Sequence, residues 1–174
     1  MSTSLDIQKI YIGLLGRAAD ASGLTYWSGL VTDQTITLDG VRANIVESQP
    51  EYAATFDGLT RSQTVNQLYN NLFDRNADGS DLDYWVNGEG AAVTFDALVL
   101  ALTAGAQGTD ILALDNKAAA ANYFTSNLGD SDSFDVDAAT AAVANVDETL
   151  ESLNASKSTT DSGGAQAGQA GSSV

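Results

Sequence analysis

The chain contains two copies of one sequence pattern, at residues 10–30 and 68–88, separated by 58 positions. The copies align without a gap, and nine positions are identical. The identical pairs are Tyr11/Tyr69, Leu14/Leu72, Arg17/Arg75, Ala19/Ala77, Asp20/Asp78, Ser22/Ser80, Leu24/Leu82, Tyr26/Tyr84 and Trp27/Trp85. The whole chain has only two Trp and six Tyr, so this agreement exceeds chance. It predicts an internal duplication of about 58 residues.

A helix is predicted to precede the shared pattern in each copy. Large apolar side chains recur there at i, i+3, i+4, i+7 and i+8, a spacing that places them on one helical face. They are Ile7, Ile10, Tyr11, Leu14 and Leu15 in the first copy, and Val65, Leu68, Tyr69, Leu72 and Phe73 in the second. Each copy therefore predicts a helix, a tight turn and a short second helix. We expect an all-α fold in which the two tandem helix-turn-helix repeats pack as a helical bundle.

Further helices are indicated along the rest of the chain. Residues 48–51 (SQPE) and 60–63 (TRSQ) both fit the capping box that starts a helix. Pro50 falls in a first turn, where proline is tolerated. Residues 95–105 and 111–128 also read as helices, and alternation typical of strands is scarce.

The turn in each copy carries an aspartate and an arginine with predicted structural roles. Asp20 and Asp78 stand where a side-chain oxygen can accept hydrogen bonds from the first free N–H groups of the second helix. Arg17 and Arg75 lie three residues earlier. They are close enough to pair with that carboxylate or to cross the face of an aromatic ring.

An aromatic pair follows each turn, Tyr26–Trp27 in the first copy and Tyr84–Trp85 in the second. Because such side chains bury a large area, we expect both pairs to anchor the second helix in the core. A ligand site at the Trp pair is the alternative interpretation.

The repeat divides the chain into three parts. Residues 1–128 form the duplicated helical domain, with repeat one at about 5–58 and repeat two at about 59–128. Residues 129–154 are expected to form an acidic loop and a C-terminal helix. The Gly/Ser/Ala-rich residues 155–174 read as a linker or disordered tail, with a possible role as an uncleaved secretion signal or an assembly arm.

Apolar residues between positions 136 and 153 alternate by three and four, as in a heptad seam. This predicts one helix whose apolar face either packs back on its own domain or contacts another copy of the chain. The candidate assembly residues are Val136, Val143, Val146, Leu150 and Leu153.

The second copy contains part of a calcium-binding loop. Counting from Asp74, oxygen-bearing side chains occupy positions one, three and five, and Gly79 occupies position six, as in an EF-hand. The pattern fails at position twelve, where Trp85 replaces the bidentate Glu, and the first copy keeps only Asp20. A solvated turn and a calcium site both remain open. The candidate ligands are Asp74, Asn76, Asp78 and Ser80, with a second candidate set at Asp130, Asp132 and Asp135.

The net charge is −16, from 23 acidic and seven basic residues. Such a surface repels phosphate backbones and anionic lipids, so we expect neither nucleic acid nor a membrane surface as a partner. No apolar run approaches the roughly 20 residues that span a bilayer, which argues against membrane insertion. The charge also makes close packing of copies depend on cations that screen or bridge carboxylates.

The chain has no Cys and no His. Nucleophilic triads are therefore impossible, and zinc sites are disfavoured. No glycine-rich phosphate loop is present, so we expect a protein without enzymatic activity. The N-terminus lacks a basic region followed by an apolar stretch, and no cleaved signal peptide is expected.

One pattern in the first copy resembles a known family. It runs Tyr-x-x-Leu-x-x-Arg-x-x-Asp-x-x-Gly-Leu-x-Tyr-Trp, formed by Tyr11, Leu14, Arg17, Asp20, Gly23, Leu24, Tyr26 and Trp27. It resembles an uncharacterised, often duplicated bacterial helical domain of large exported and surface-layer proteins, which is itself similar to the phycobilisome linker domain. The resemblance covers about residues 5–126, and in the second copy Asp81 replaces the glycine. Members commonly leave the cell by type I secretion, so the resemblance implies an extracellular or cell-surface location and supplies no catalytic residues.

These features favour an extracellular structural protein that assembles with itself into a surface layer, filament or biofilm matrix, assisted by calcium. The alternative is a secreted binding or adhesion module that recognises a glycan or a partner protein. Candidate aromatics for that module are Tyr52, Phe56, Tyr123 and Phe124. A linker-like cytosolic adaptor is a third interpretation, which the acidic charge disfavours.

Overall fold

The computed structural model describes residues 2–130 and 134–170, with side chains up to residue 163. The all-α prediction is confirmed: these residues form ten α-helices and no strand. Within them, no single helix is long and apolar enough to cross a bilayer; the helices Leu98–Gly105 and Gly108–Leu128 meet the length and composition criteria only as a pair, which is bent by 114°. The helices are α1 (Thr3–Leu15), α2 (Ala21–Thr32), α3 (Leu38–Ser48), α4 (Pro50–Phe56), α5 (Arg61–Phe73), α6 (Gly79–Leu82), α7 (Leu98–Gly105), α8 (Gly108–Leu128), α9 (Val136–Ala144) and α10 (Leu150–Ala170), with a π-helical turn (Asp83–Asn87) and a 3₁₀ turn (Glu89–Ala92) between α6 and α7.

Both copies of the repeat contribute to one hydrophobic core. Helix α1 lies at its centre and packs against α2, α3, α5, α7 and α8. The predicted apolar faces of α1 and α5 point into this core, together with side chains from α7 and α8. The buried side chains of these four helices include Ile7, Ile10, Leu14, Val65, Leu68, Leu72, Leu98, Leu114 and Phe124.

A glycine allows α1 to approach α5 and α7 closely. A Cβ atom added at Gly13 would lie 2.4 Å from Cγ2 of Val99 and 3.1 Å from Cδ2 of Leu72. The carbonyl of Gly13 accepts a hydrogen bond from the Asn71 side chain of α5 at 2.9 Å. This hydrogen bond joins α1 and α5 at the point where their backbones are close together.

The two predicted capping boxes have different outcomes. Thr60 and Gln63 form the reciprocal box at the start of α5. At the other position, α3 continues through Ser48, so Gln49 precedes α4 and makes no side-chain cap. Pro50 then occupies the first position of α4, where its missing N–H costs nothing.

The C-terminal region differs from the single helix expected over residues 136–153. Helix α9 ends at Ala144, and α10 begins at Leu150. Between them, the Asp147 carboxylate accepts hydrogen bonds from the N–H and hydroxyl of Thr149, at 2.8 and 2.6 Å. The Asn116 side chain of α8 donates to the carbonyl groups of both residues. These hydrogen bonds stabilise a turn between α9 and α10, where a continuous helix was expected.

Helix α10 extends through residues 155–170, where composition predicted a linker. One of its hydroxyls bonds to a neighbouring helix, since Ser156 donates to the Ala142 carbonyl of α9 at 2.7 Å. The Tyr123 hydroxyl of α8 donates to Asp161 at 2.7 Å. Packing against α8 and α9 offsets the low helix propensity of this segment. The end of the predicted tail, residues 171–174, lies outside the described residues.

The predicted assembly residues divide into two groups. Val143, Val146 and Leu153 are buried within their own domain, where the last two pack on Ala120 of α8. Burial of these three removes them from any contact surface. Only Val136 and Leu150 are accessible, with 45% and 70% of their area exposed.

Alanine substitution at two glycines is expected to change the free energy of unfolding in opposite directions. Gly13→Ala should lower the free energy of unfolding by about 1–3 kcal/mol, because the new methyl group overpacks the core at Val99. Gly29→Ala in α2 should raise it by about 0.4–1 kcal/mol, because no atom lies within 4 Å of the added Cβ and the unfolded chain loses entropy. Urea unfolding of both variants checks the pair, and equal effects would contradict the packing described here.

Candidate functional site

In the first copy, a buried arginine organises the turn between α1 and α2. Nε and Nη2 of Arg17 donate to the Glu51 carboxylate of α4 at 2.7 and 2.8 Å, and Nη1 donates to the Ala18 carbonyl. The guanidinium also lies over the rings of Tyr11 and Phe134, 5.6 and 5.3 Å from their centroids. Only 5% of Arg17 is exposed, so the guanidinium of this bidentate pair is shielded from solvent, whereas the Glu51 side chain is 35% exposed.

In the second copy, Arg75 makes the corresponding contacts. Its Nε and Nη2 donate to the Asp110 carboxylate of α8 at 2.7 and 2.8 Å, and Nη1 donates to the Asn76 carbonyl. The guanidinium lies 4.8 Å from the ring centroid of Tyr69 and also binds Asp81. Hydrogen bonding to Asp110, which outweighs partial burial, raises the pKa of Arg75 above its ordinary value.

Asp20 and Asp78 cap the second helices, as the sequence predicts, while the arginines three residues earlier bind other carboxylates. Asp20 accepts hydrogen bonds from the N–H of Gly23 and the hydroxyl of Ser22 at 2.8 and 2.5 Å. Burial opposes ionisation of Asp20, but these bonds outweigh it and lower its pKa. Asp78 accepts from two backbone N–H groups and from the Ser80 hydroxyl, which lowers its pKa.

The aromatic pairs contribute to the core with only one of their two rings. Trp27 and Trp85 are partly buried against the core. Tyr26 and Tyr84, which were expected to be buried as well, are 59% and 49% exposed. In each pair the rings meet edge to face, with centroids 4.8 and 4.9 Å apart. Neighbouring side chains of a helix point in different directions. When the tryptophan of each pair faces the core, the tyrosine before it therefore faces the solvent.

Two amide side chains that sequence reasoning missed complete the turns. Gln8 and Asn66, at equivalent positions of the two copies, each accept a hydrogen bond from the backbone N–H of the alanine two residues after the arginine, at 3.0 Å. These alanines are Ala19 and Ala77. Gln8 is completely buried and also donates to Thr125 of α8. The equivalence was hidden because the two residues are not identical, although both are amides.

A buried lysine was also missed. Lys117 is 1% exposed, and its Nζ donates to the Val143 carbonyl near the end of α9 at 2.6 Å. The Asp74 carboxylate lies 3.4 Å away. Burial lowers the pKa of Lys117, and Asp74 only partly opposes this effect. The contacts join the ends of α5 and α9 to the middle of α8; the only sequence signal was one charge before a run of alanines.

The oxygens of the predicted calcium loop have separate partners within the protein. Asp74 ends α5 in the left-handed region (φ 58°) and faces Lys117. The Asn76 side-chain oxygen accepts from Asn70 at 3.0 Å, and Ser80 donates to the capping carboxylate of Asp78. Among the described residues, no group of three or more acidic side chains is placed to hold a metal ion.

The second calcium candidate is only partly described. Asp135 caps α9 by accepting from the N–H groups of Asp137 and Ala138, at 2.9 and 3.1 Å. Asp130 is exposed, and Asp132 lies outside the described residues. The contacts of Asp135 are those of a helix N-cap.

The aromatic candidates for a binding module are mostly engaged. Phe56 and Phe124 are buried in the core, with 7% and 2% of their area exposed. Tyr52 stacks on Phe56 with centroids 5.0 Å apart, and Tyr123 binds Asp161 of α10. A ligand would have to displace these contacts to reach any of the four rings.

Two surface depressions of about 540 Å³ each stand out instead. The first, called the aromatic cleft below, lies between the Tyr84–Trp85 pair and the corner that joins α7 to α8. The second, called the apolar groove below, lies between α1, α3, α7 and the start of α8, with Leu38, Leu100 and Ile111 in its lining. Both sizes are typical of ligand or partner sites.

Loss of the N-cap at Asp20 is expected to cost about 1 kcal/mol of unfolding free energy at neutral pH. Because the folded-state pKa of Asp20 lies below 3.8, this stabilisation is present above that pH and disappears as pH falls through the folded-state pKa. Urea unfolding of Asp20→Ala across this range measures the effect. Asp33→Ala removes the same charge from the end of α2 and should cause no loss; equal destabilisation would reject the cap.

Arg17→Lys should destabilise the fold more than Arg75→Lys. Lysine cannot bind a carboxylate with two parallel bonds, and a hydrogen bond to a charged group contributes about 1.5–3 kcal/mol when shielded. The Arg75 side chain is 35% exposed against 6% for Arg17, so solvent weakens its contribution. Urea unfolding of both variants gives the two costs, and a larger cost at Arg75 would contradict this ranking.

Comparison with known proteins yields one family match. Residues 43–104 match a domain of unknown function (DUF4214). The matched region contains the second copy of the repeat pattern, whereas the first copy precedes it. No curated protein and no solved structure matches the chain significantly. The match agrees with the resemblance to an uncharacterised domain family.

Proposed function

We propose that this chain is a non-enzymatic extracellular structural protein that assembles with itself into a surface layer, filament or biofilm matrix. Calcium or a similar divalent cation assists by reducing repulsion between copies. The observation that carries this proposal is an exposed apolar surface around the apolar groove. The resemblance to a domain of exported and surface-layer proteins supports the extracellular location.

Two exposed leucines, Leu112 and Leu150, follow the apolar groove along the chain. Leu112 directly follows the groove residue Ile111 and is 53% exposed. Asn116, one helical turn further along α8, donates to the Thr149 carbonyl at 3.2 Å. Thr149 immediately precedes Leu150, which is 70% exposed, so this bond brings the start of α10 beside the part of α8 that follows Leu112.

Exposed apolar area of this kind favours contact with another protein surface. Full burial of an exposed leucine contributes about 1.5–3 kcal/mol, and these two, which are already partly covered, contribute a corresponding fraction. Monomeric proteins rarely keep large apolar patches in water, and such patches commonly mark interfaces. The groove accepts side chains, and the leucines provide them. One copy can therefore supply both halves of the contact.

The basic residues explain why cations are needed. All seven have partners inside their own chain, against 23 acidic residues. The pairs are Lys9 with Asp115, Arg17 with Glu51, Arg42 with Asp39 and Asp96, Arg61 with three carbonyl groups, Arg75 with Asp81 and Asp110, Lys117 with Val143 and Asp74, and Lys157 with the ring of Tyr123. Of these side chains only Arg61 and Lys157 lack a carboxylate partner among the described residues, which is too few to offset the acidic surface of another copy, so approaching copies repel unless added cations neutralise them.

The test is the mass of the full chain by size-exclusion chromatography with light scattering, in millimolar calcium and in chelator. We expect assemblies with calcium and monomers with chelator. The double variant Leu112→Gln/Leu150→Gln should remain monomeric in both, because it loses the apolar contact without changing the charge. Magnesium in place of calcium shows whether the effect is specific or only electrostatic.

Val136→Gln is the matched control, since it removes an exposed apolar side chain from α9 and is expected to assemble as the wild type does. Monomers of the wild type at every calcium concentration would reject self-assembly. Assembly of the double variant at wild-type levels would place the interface elsewhere.

A further inference from the structure

We propose that the aromatic cleft binds an organic cation, namely a guanidinium or alkylammonium group of another molecule. The cleft is lined on one side by Tyr84 and Trp85 and on the other by small residues at the α7–α8 corner. Three carboxylates also line it: Asp81, Glu89 and Asp110. The proposal is independent of self-assembly.

The aromatic wall has the geometry that attracts a cation. The rings of Tyr84 and Trp85 are nearly perpendicular, at 88°, with centroids 4.9 Å apart. Both rings line the cleft, and Tyr84 is 49% exposed. The negative face of an aromatic ring attracts guanidinium and ammonium groups, and Trp and Tyr do so best.

The charges in the cleft favour a cation over a neutral or anionic ligand. Arg75 pairs with both Asp81 and Asp110, which leaves two negative charges in excess among these four groups. Glu89 is exposed and has no hydrogen-bonding partner among the described residues. Its carboxylate is therefore free to pair with a cation that lies against the rings.

The cleft is held in shape before any ligand arrives. The guanidinium of Arg61 donates to the carbonyls of Trp85, Gly90 and Val93 at 2.6–2.8 Å, which fixes the segment that contains the π-helical and 3₁₀ turns. The Tyr69 hydroxyl accepts from the Trp85 indole N–H at 3.1 Å and holds the ring in place. A site that needs no reordering loses little entropy on binding.

Gly90 is required for this arrangement. A Cβ atom at that position would lie 2.6 Å from Cε3 of Trp85 and 2.9 Å from Cε1 of Tyr84. The glycine thus lets the backbone pack directly behind the aromatic pair.

The first copy of the repeat serves as an internal comparison. It keeps the same aromatic pair, Tyr26–Trp27, but Gly23 and Val31 stand at the positions of Asp81 and Glu89. The acidic lining is therefore particular to the second copy. All basic residues of the chain have partners of their own, as described above, so the cation must come from a different molecule.

The experiment is an NMR titration of the ¹⁵N-labelled full chain in chelator. The chain has two indole N–H signals, from Trp27 and Trp85. The signal that disappears in the variant Trp27→Phe belongs to Trp27, and the remaining signal belongs to Trp85. The probes are Nα-acetyl-arginine amide and spermidine. Nα-acetyl-citrulline amide, which has the shape of the first probe without its charge, and methyl glucoside are the neutral controls. We expect both cations to shift the Trp85 signal in a saturable way and to leave Trp27 unchanged.

Variants locate the effect. Tyr84→Ala should weaken binding by about fivefold or more, since it removes one ring of the pair. Tyr26→Ala, the matched change in the first copy, should leave affinity unchanged. Glu89→Gln alters an exposed side chain without partners, so it should preserve the fold while weakening binding.

Three outcomes would overturn the proposal. Equal shifts with citrulline amide would show that charge is not recognised, and a shift with methyl glucoside alone would identify a glycan site. Parallel shifts of Trp27 and Trp85 would indicate general attraction to the acidic surface. Unchanged affinity in both Tyr84→Ala and Glu89→Gln would place the cation outside the cleft.

Discussion

The bundle depends on two arginines, each held between a turn and the first turn of a later helix. Arg17 joins the α1–α2 turn to Glu51 at the start of α4, and Arg75 joins the α5–α6 turn to Asp110 at the start of α8. A carboxylate in the first turn of a helix is already stabilised by the exposed N–H groups there, and the guanidinium adds two parallel bonds. These pairs determine how each turn meets the rest of the core.

This use of arginine connects stability to function. The seven basic residues make their contacts inside the fold, whereas 23 residues are acidic, so the surface is strongly acidic. An acidic surface keeps copies apart in the absence of counterions. Self-assembly at the apolar surface and cation binding at the aromatic cleft are therefore two proposed consequences of one imbalance, and each depends on charge supplied from outside the chain.

The candidate site was only partly predictable. The positions of Arg17 and Arg75 were evident from the repeat, but their true partners lie 34 and 35 residues further along the chain. The exposure of Tyr84 was not foreseen either, because adjacent aromatics look equally apolar in a sequence. Which side of this segment faces the core is decided by tertiary packing, which places Trp85 inward and Tyr84 outward.

The sequence by itself determined the all-α class, the faces of α1 and α5, and the caps at Asp20 and Thr60. Each of these follows from residues within one or two helical turns, where spacing and hydrogen bonds are local. The tertiary structure decided the partners of the arginines and the break before α10. It also decided the helicity of residues 155–163, since packing against α8 and α9 outweighs a weak local propensity. Such outcomes depend on groups that are distant in sequence and meet only when the core forms.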